Sequence, residues 1–348
     1  MNRAKMANPT NSMARLVETL NHLDERHKSN LARDIREGLT ASQKYIPCKY
    51  FYDARGSKLF EDICHLPEYY LTRTELSILR EIAPELMGTF AHKDLVELGS
   101  GTSLKVRILL AAAGEANRAT MRYIPVDISE SALIEASKDI AERYPELPVL
   151  GVVTDFTCHL DVLPTQRPLM FSFLGSTIGN MGKEESVSFL GTLSQKMKPD
   201  DRLLVGFDMV KSRKTLEAAY NDSKGLTSEF NKNVLCVLNN ELNADFDPSH
   251  FDHVAFFNEA ESRIEMHLRA NRDVTVRLES IDMEVEFEKG ETIHTENSRK
   301  FTKHMIEEMA GLAGLSIQKH YSDPDGWFYL VLMGPKWRTP AATLRPTV

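Results

Sequence analysis

Apolar positions along the chain fall into short uninterrupted runs that end on glycine or on an acid, with helix-like stretches between them. The run at 95–98 enters the turn Gly99-Ser100-Gly101-Thr102-Ser103, and residues 104–113 leave it at helical spacing. A second run, Tyr123-Ile124-Pro125-Val126, ends at Asp127, and a third, 149–153, stops just before Asp155-Phe156. Two more follow at 168–174 and 202–207. Continuous apolar runs of this length read as strands buried on both faces, so the stretch from about 94 to 207 predicts alternating strands and helices around a mostly parallel sheet. Upstream, Leu16, Leu20, Leu23, Leu31 and Ile35 predict a helix over 16–35, and residues 74–82 predict another. After Lys211 the rhythm changes: 215–220 and 227–242 read as helices, while 262–270, 273–278 and 283–287 alternate like antiparallel strands. A helix over 298–313 and two strands at 315–321 and 328–333, joined through Asp323-Pro324-Asp325-Gly326, close the chain.

Composition narrows the class without naming it. The chain has 348 residues, of which 42% are hydrophobic, enough for one large domain or two ordinary ones. Its formal charge of −8 is spread among scattered lysines and arginines, so there is no electrostatic footprint for nucleic acid or an anionic membrane. Cys48, Cys64, Cys158 and Cys236 form no Cys-x-x-Cys pair, which suits a reducing compartment better than a disulfide scaffold or a zinc knuckle. His250 and His253 are suggestively spaced, but no cluster of carboxylates or thiols accompanies them in sequence, and no metal is expected. Residues 1–12 lack an apolar core of the kind a secretory signal carries, and no apolar run approaches the roughly 18 residues of a membrane span, so a cytoplasmic protein is expected.

The glycine turn decides which cofactor the sheet would hold. A dinucleotide fingerprint needs a third small residue, and here that position is Leu104; a phosphate cradle needs Gly-Lys-Ser/Thr, which is absent. S-adenosylmethionine (SAM) has no pyrophosphate and asks less of the loop. Gly99 and Gly101 let the backbone approach the ligand, and Glu97 sits two residues before them. Asp127 can accept from both ribose hydroxyls, Asp155 from the adenine amino group, and Phe156 can stack on the ring. Taken alone, the glycines read as an ordinary turn and the aspartates as helix caps. The register of all three acids argues otherwise. The fold expected is α/β, a doubly wound class I SAM-dependent methyltransferase sheet with an antiparallel last strand, plus a smaller α+β substrate-binding domain. The division expected is 13–73 and 210–297 for the substrate domain, and 74–209 and 298–337 for the cofactor domain.

Four longer segments then narrow the family. They are Phe51-Tyr52-Asp53-Ala54-Arg55-Gly56-Ser57, Leu66-Pro67-Glu68-Tyr69-Tyr70-Leu71-Thr72-Arg73-Thr74-Glu75, Phe173-Leu174-Gly175-Ser176-Thr177-Ile178-Gly179-Asn180 and Ile293-His294-Thr295-Glu296-Asn297-Ser298. Together and in this order they resemble the histidine N-alpha-methyltransferases of ergothioneine biosynthesis, over roughly residues 45–335. The resemblance implies trimethylation of the α-amino group of L-histidine to hercynine by a monomer acting on a small molecule. It places SAM against Gly99, Lys105, Asp127, Asp155 and Phe156, and the amino acid against Tyr52, Tyr69, Asn180 and Tyr220, with the imidazole held by Glu296 and Ser298.

The residue types suit that chemistry. Tyrosine hydroxyls and the Asn180 amide donate to a carboxylate without placing a full charge beside a sulfonium. Glu296 and Ser298, two apart, share a face if the segment is extended, with Asn297 between them and Met266 as an adaptable wall. Tyr52 is the candidate to relay the proton leaving the amine. Outside the motif, Tyr52 and Tyr69 would read as core aromatics, Glu296 as a surface acid and Asn180 as a turn residue. Two other readings stay open at this level: an N-methyltransferase of a tryptophan-like amino acid, and a silent SAM-binding protein.

Overall fold

The apolar runs become neighbouring strands of one sheet in a computed structural model that describes residues 17–336 apart from 23, 24, 102, 158, 164 and 165. Leu16, Leu23, Thr102, Cys158 and Trp337, and the start of the first expected domain segment, lie outside the described residues. In chain order the first strands are β1 (Val17–Asn21), β2 (Asp94–Leu98), β3 (Tyr123–Asp127), β4 (Val149–Val153), β5 (Leu169–Phe173) and β6 (Arg202–Asp208). Then come β7 (Phe251–Asn258), β8 (Arg263–Ala270), β9 (Val274–Leu278), β10 (Met283–Phe287), β11 (Thr292–Arg299), β12 (Leu315–Ser322) and β13 (Phe328–Pro335). The large sheet has the order β1-β4-β3-β2-β5-β6-β13-β12, all running one way except β13, which is antiparallel to both its neighbours β6 and β12. The strand order reverses between β2 and β5, and the carboxyl ends of strands at such a point form the ligand crevice of doubly wound sheets.

The helices are α1 (Glu25–Thr40), α2 (Ala54–Cys64), α3 (Tyr70–Thr89), α4 (Leu104–Arg118), α5 (Glu130–Arg143), α6 (Lys183–Lys196), α7 (Arg213–Ala218), α8 (Leu226–Leu242) and α9 (Lys303–Leu312). One core packs α3 and α4 on a face of the large sheet through Leu79, Leu86, Leu109 and Leu110; the other face carries α6 and α9 through Leu190, Leu193 and Ile306. A third core is shared by residues from both chain segments that flank the sheet region. In it Ile35, Phe51 and Tyr70 meet Phe230, Leu235, Met266 and Ile293. The antiparallel sheet β11-β8-β7 and the β9–β10 hairpin belong to that part of the molecule.

Three of the differences from the sequence expectation have a plain physical cause. Residues 17–21 form a strand, not the start of a helix, because their backbone pairs in parallel with β4 and extends the large sheet; the helix begins only at Glu25. That strand therefore lies with the cofactor sheet, although it falls within the segment 13–73. Residues 298 and 299 end β11 and do not open the last helix. The Lys300 amide donates to Ser262 O (2.7 Å), the Phe301 amide donates to Asp208 O (2.9 Å), and Thr302 caps α9 by accepting from the Met305 amide. Strand β7 was not expected, since Asp252, His253 and Asn258 interrupt its apolar pattern; its pairing with β8 supplies the order.

Candidate active site

The crevice is lined on one side by the ends of β2, β3 and β4. Gly99 and Gly101 adopt left-handed backbone angles (φ 71° and 45°), which an L side chain rarely takes without strain. The Gly99 amide donates to Val126 O (2.8 Å), and the Gly101 amide to Asp127 Oδ2 (3.0 Å). Asp127 also accepts from the Ser129 amide (2.9 Å), so its carboxylate latches the glycine turn to the neighbouring strand. Burial raises the Asp127 pKa against those amide bonds. Phe156 stands 3.7 Å from where a Gly99 Cβ would be and packs edge-on against Phe173. Asp155 is partly engaged: Oδ1 accepts from the Thr157 amide (3.1 Å), and Oδ2 lies 3.6 Å from Lys49, which also meets Asp34.

Glu97 lies deeper than its place near the turn suggests. It is 2% exposed and accepts from the hydroxyl of Tyr123 on β3; burial pushes its pKa up to about 8, well above the ordinary carboxyl range. The residues fit an adenosine-bearing ligand. The Ser100 hydroxyl in the glycine turn is buried with no protein partner among the described residues, and Asp127 faces the same turn.

The other side carries aromatics. The Tyr52 ring packs against Phe60 (5.8 Å) and Phe230 (5.7 Å), and Tyr69 against Phe60 (6.1 Å) and Tyr220 (6.2 Å). Among the described residues neither the Tyr52 nor the Tyr69 hydroxyl has a protein hydrogen-bond partner. Burial, and after it the charge of Glu296, holds the Tyr52 hydroxyl well above its ordinary range; Asp127 adds to this, so Tyr52 stands within electrostatic reach of both. The same Glu296 charge reaches Tyr69 and Tyr220. Burial raises Glu296 itself to about 7, with Lys300 pulling the other way. Asn180 ends a 3-10 turn (Thr177–Asn180) held against β11: a Cβ on Gly179 would lie 2.9 Å from Arg299 O.

The pairing of strand β11 settles which of its residues share a face. A bulge at Thr295 puts His294 opposite His267, Glu296 opposite Met266 and Ser298 opposite Ile264. Directly paired residues lie on one face, so Glu296, Ser298 and Met266 face one side. Asn297 pairs with Glu265 and faces the other side, where its Oδ1 is buried without a partner. It is therefore withdrawn as a substrate contact: strand alternation turns it away. His253 donates from Nε2 to Tyr220 O (2.9 Å) and accepts at Nδ1 from the Asn231 amide (2.9 Å), whereas His250 neighbours Asp247; the two histidines do not converge. Glu265, His267 and His294 do cluster, with candidate ligand atoms within 4.8 Å of one another. The two imidazoles are stacked at 4.7 Å and 17°, however, and an ion about 2.1 Å from a ring nitrogen sits in that ring's plane, so these rings do not aim at one point.

Buried charges tie the two sides together, and beside the expected Lys105 they include Glu75, Asp208, Lys211 and Lys300, which were not expected as site residues. Lys105 pairs with the fully buried Glu75 (2.7 Å), whose carboxylate also accepts from the Gly175 amide (2.8 Å). Burial disfavours the Lys105 charge, but Glu75 outweighs it and the pKa rises. Asp208, at the end of β6, accepts from the Tyr70 hydroxyl and pairs with Lys211 and Lys300, both of whose ammonium groups are buried. Ser176, in a left-handed conformation (φ 56°), accepts from the Asp208 amide (2.9 Å). A Cβ at Gly206 would come within 2.5 Å of Glu75 Oε1 and 3.1 Å of the Phe328 ring. Gly206→Ala is therefore expected to destabilise the fold by about 1–3 kcal/mol and to lower cofactor affinity with it, read by denaturant midpoint and calorimetry. An unchanged midpoint would show that Glu75 moves aside freely.

A left-handed glycine turn, an acid ending each of the next two strands and an antiparallel finish to the sheet define a class I SAM-dependent methyltransferase. A model of the histidine-specific, SAM-dependent methyltransferases matches residues 31–335. The chain is 45% identical over 302 residues to the histidine N-alpha-methyltransferase of Mycolicibacterium smegmatis, covering 87% of this chain and 94% of that protein. It is 42% identical to the Mycobacterium tuberculosis enzyme of the same name, covering 91% and 98%. Ergothioneine biosynthesis protein 1 of Schizosaccharomyces pombe is 28% identical across 66% of this chain and 31% of its own length. The chain belongs to the histidine-specific, SAM-dependent methyltransferase family.

Proposed function

We propose that the protein moves three methyl groups from SAM to the α-amino nitrogen of L-histidine, giving hercynine for ergothioneine synthesis. The observation that carries this reading is the shared face of Glu296 and Ser298, opposite a tyrosine cluster whose member Tyr52 also feels Asp127. Gly99, Gly101, Asp127, Asp155 and Phe156 would hold the donor, with Glu97 and Lys105 closing the floor. When bound, SAM supplies an electrophilic methyl on a sulfonium; this chain's residues desolvate and align the amine against it, which is a matter of proximity. Tyr69 and Asn180 would donate to the carboxylate, the Tyr220 ring would line the pocket beside Tyr69 with its hydroxyl given to Ser298, and Met266 would meet the ring edge. Glu296 would accept the imidazole N–H. The Tyr52 hydroxyl, kept protonated, would pass the amine's proton outward as a relay, not as a base.

On this reading the shared third core is the substrate domain, and β1 is a part of the cofactor domain that happens to precede it. In-line displacement at carbon needs no Lewis acid, so a monomer working in the cytoplasm without a metal is the simplest form. No described helix is long and apolar enough to cross a membrane. Fragmentation of the product by tandem mass spectrometry tests the assignment. Methyls confined to the α-nitrogen support it, and methyls on the ring would reverse the roles given to Glu296 and Tyr52.

A further inference from the structure

Lys300 is a lysine with no exposed surface, and its ammonium has spent all three hydrogens within the protein. It donates to Asp208 Oδ2 (2.8 Å), Ser298 Oγ (2.9 Å) and Tyr220 Oη (3.1 Å). An ammonium has three donors and no acceptor. Lys300 therefore has nothing left for a ligand, yet it controls two hydroxyls that face one. Those hydroxyls are 2.7 Å apart, so one of them donates to the other. Of their two hydrogens one is used between them, and one remains. Lys300 occupies the one good acceptor position of the Tyr220 oxygen, whose other lone pair is drawn into the ring, so Tyr220 is the donor of the pair. Ser298 Oγ then accepts from both Tyr220 and Lys300, and its lone pairs are filled. The only thing Ser298 can offer outward is its own hydrogen.

We infer that Lys300 is a specificity-determining positioning residue, which locks Ser298 as a donor so that the site accepts only rings that present a bare nitrogen beside an N–H. The inference rests on the reading of Glu296 and Ser298 as the ring contacts. Two residues before Ser298 on the same face, the Glu296 carboxylate can only accept. An acceptor and a locked donor on one face match an azole that has one nitrogen with a hydrogen and one without. A ring with an N–H alone leaves the Ser298 hydrogen without a partner in a buried site, and sites built on hydrogen bonds reject such analogues strongly. Without Lys300, Ser298 and Tyr220 regain free lone pairs and can exchange roles, and the discrimination is lost. Burial opposes the Lys300 charge, but Asp208 more than offsets this and raises its pKa, so the lock persists at neutral pH.

The test is calorimetric, with S-adenosylhomocysteine present, comparing L-histidine with its pyrrole analogue, which keeps the N–H and lacks the bare nitrogen. The wild type is expected to prefer histidine by at least about thirtyfold, and Lys300→Met to bring that ratio below about threefold while binding S-adenosylhomocysteine normally. Adding Lys300→Met to Ser298→Ala is expected to change the ratio no further, since the lock has then nothing to act on; a purely structural role would leave the two effects additive. If Lys300→Met does not fold, Ser298→Ala alone decides: the inference requires it to weaken histidine and strengthen the pyrrole analogue. An unchanged ratio in Lys300→Met, additive effects in the double variant, or a pyrrole analogue weakened by Ser298→Ala overturns the inference alone. A wild type that does not bind L-histidine overturns the reading beneath it instead.

Discussion

Replacing Asp127 with alanine is expected to raise the dissociation constant for SAM by at least about a hundredfold, the largest single loss the cofactor side can suffer. Two sources add. Bidentate acceptance from ribose hydroxyls is worth roughly 1.5–3 kcal/mol for each bond to the carboxylate, and tenfold in affinity corresponds to about 1.4 kcal/mol. The same carboxylate also holds the Gly101 and Ser129 amides, so its loss frees the turn that the ligand's backbone contacts depend on. Calorimetry with SAM alone reads the effect. Asn180→Ala is the control: it should spare SAM and lose L-histidine. Equal loss of both ligands in both variants would indicate a damaged fold, and near-normal SAM binding by Asp127→Ala would remove Asp127 from the site.

Removing the carboxylate of Glu296 is expected to lower kcat/KM for L-histidine at least tenfold, the loss of one charge-assisted hydrogen bond of about 1.5–3 kcal/mol, and to improve relative use of indole amino acids. An indole edge facing an unpaired buried carboxylate is penalised in the wild type, and that penalty disappears with the charge. The sign of the pH effect follows from burial, which lifts Glu296 to about 7. Below that pH the group is protonated and cannot accept the ring N–H as a carboxylate; above it, it can. Histidine use should therefore rise as pH climbs through about 7, on top of the substrate's own ionisations. In Glu296→Gln the acid limb of log kcat/KM should be one unit of slope shallower, because one titrating group is gone. Identical limbs in both proteins would show that Glu296 does not meet the ring.

The cofactor side was legible because its signals are local. A buried parallel strand is a continuous apolar run, a left-handed turn asks for glycine, and the acids at 127 and 155 close their strands in sequence. What stayed hidden depends on contacts between distant segments. β1 is a half-exposed edge strand, and its leucine spacing suits a helix equally well until pairing with β4 decides. Glu75, Asp208 and Lys300 read as solvated charges, since nothing local shows that Glu75 would be buried against Lys105, or that a strand end and the residue after β11 would bury Asp208 against Lys300. Asn297 was misplaced for a related reason. Strict alternation links 296 with 298, but only the register with β8 shows that 297 faces Glu265, and that a bulge at Thr295 separates His294 from Glu296. The shared motifs pointed to the strand; only its pairing shows the face each residue takes.

The most direct measurement is a mass-spectrometric screen of the purified protein with SAM against each free L-amino acid. Gain of one, two and three methyls on histidine alone is the result expected from the donor latch at Asp127, the carboxylate at Glu296 and the tyrosine cluster between them. Methylation of tryptophan in place of histidine, or SAM retained with no methylated amino acid at all, would contradict it.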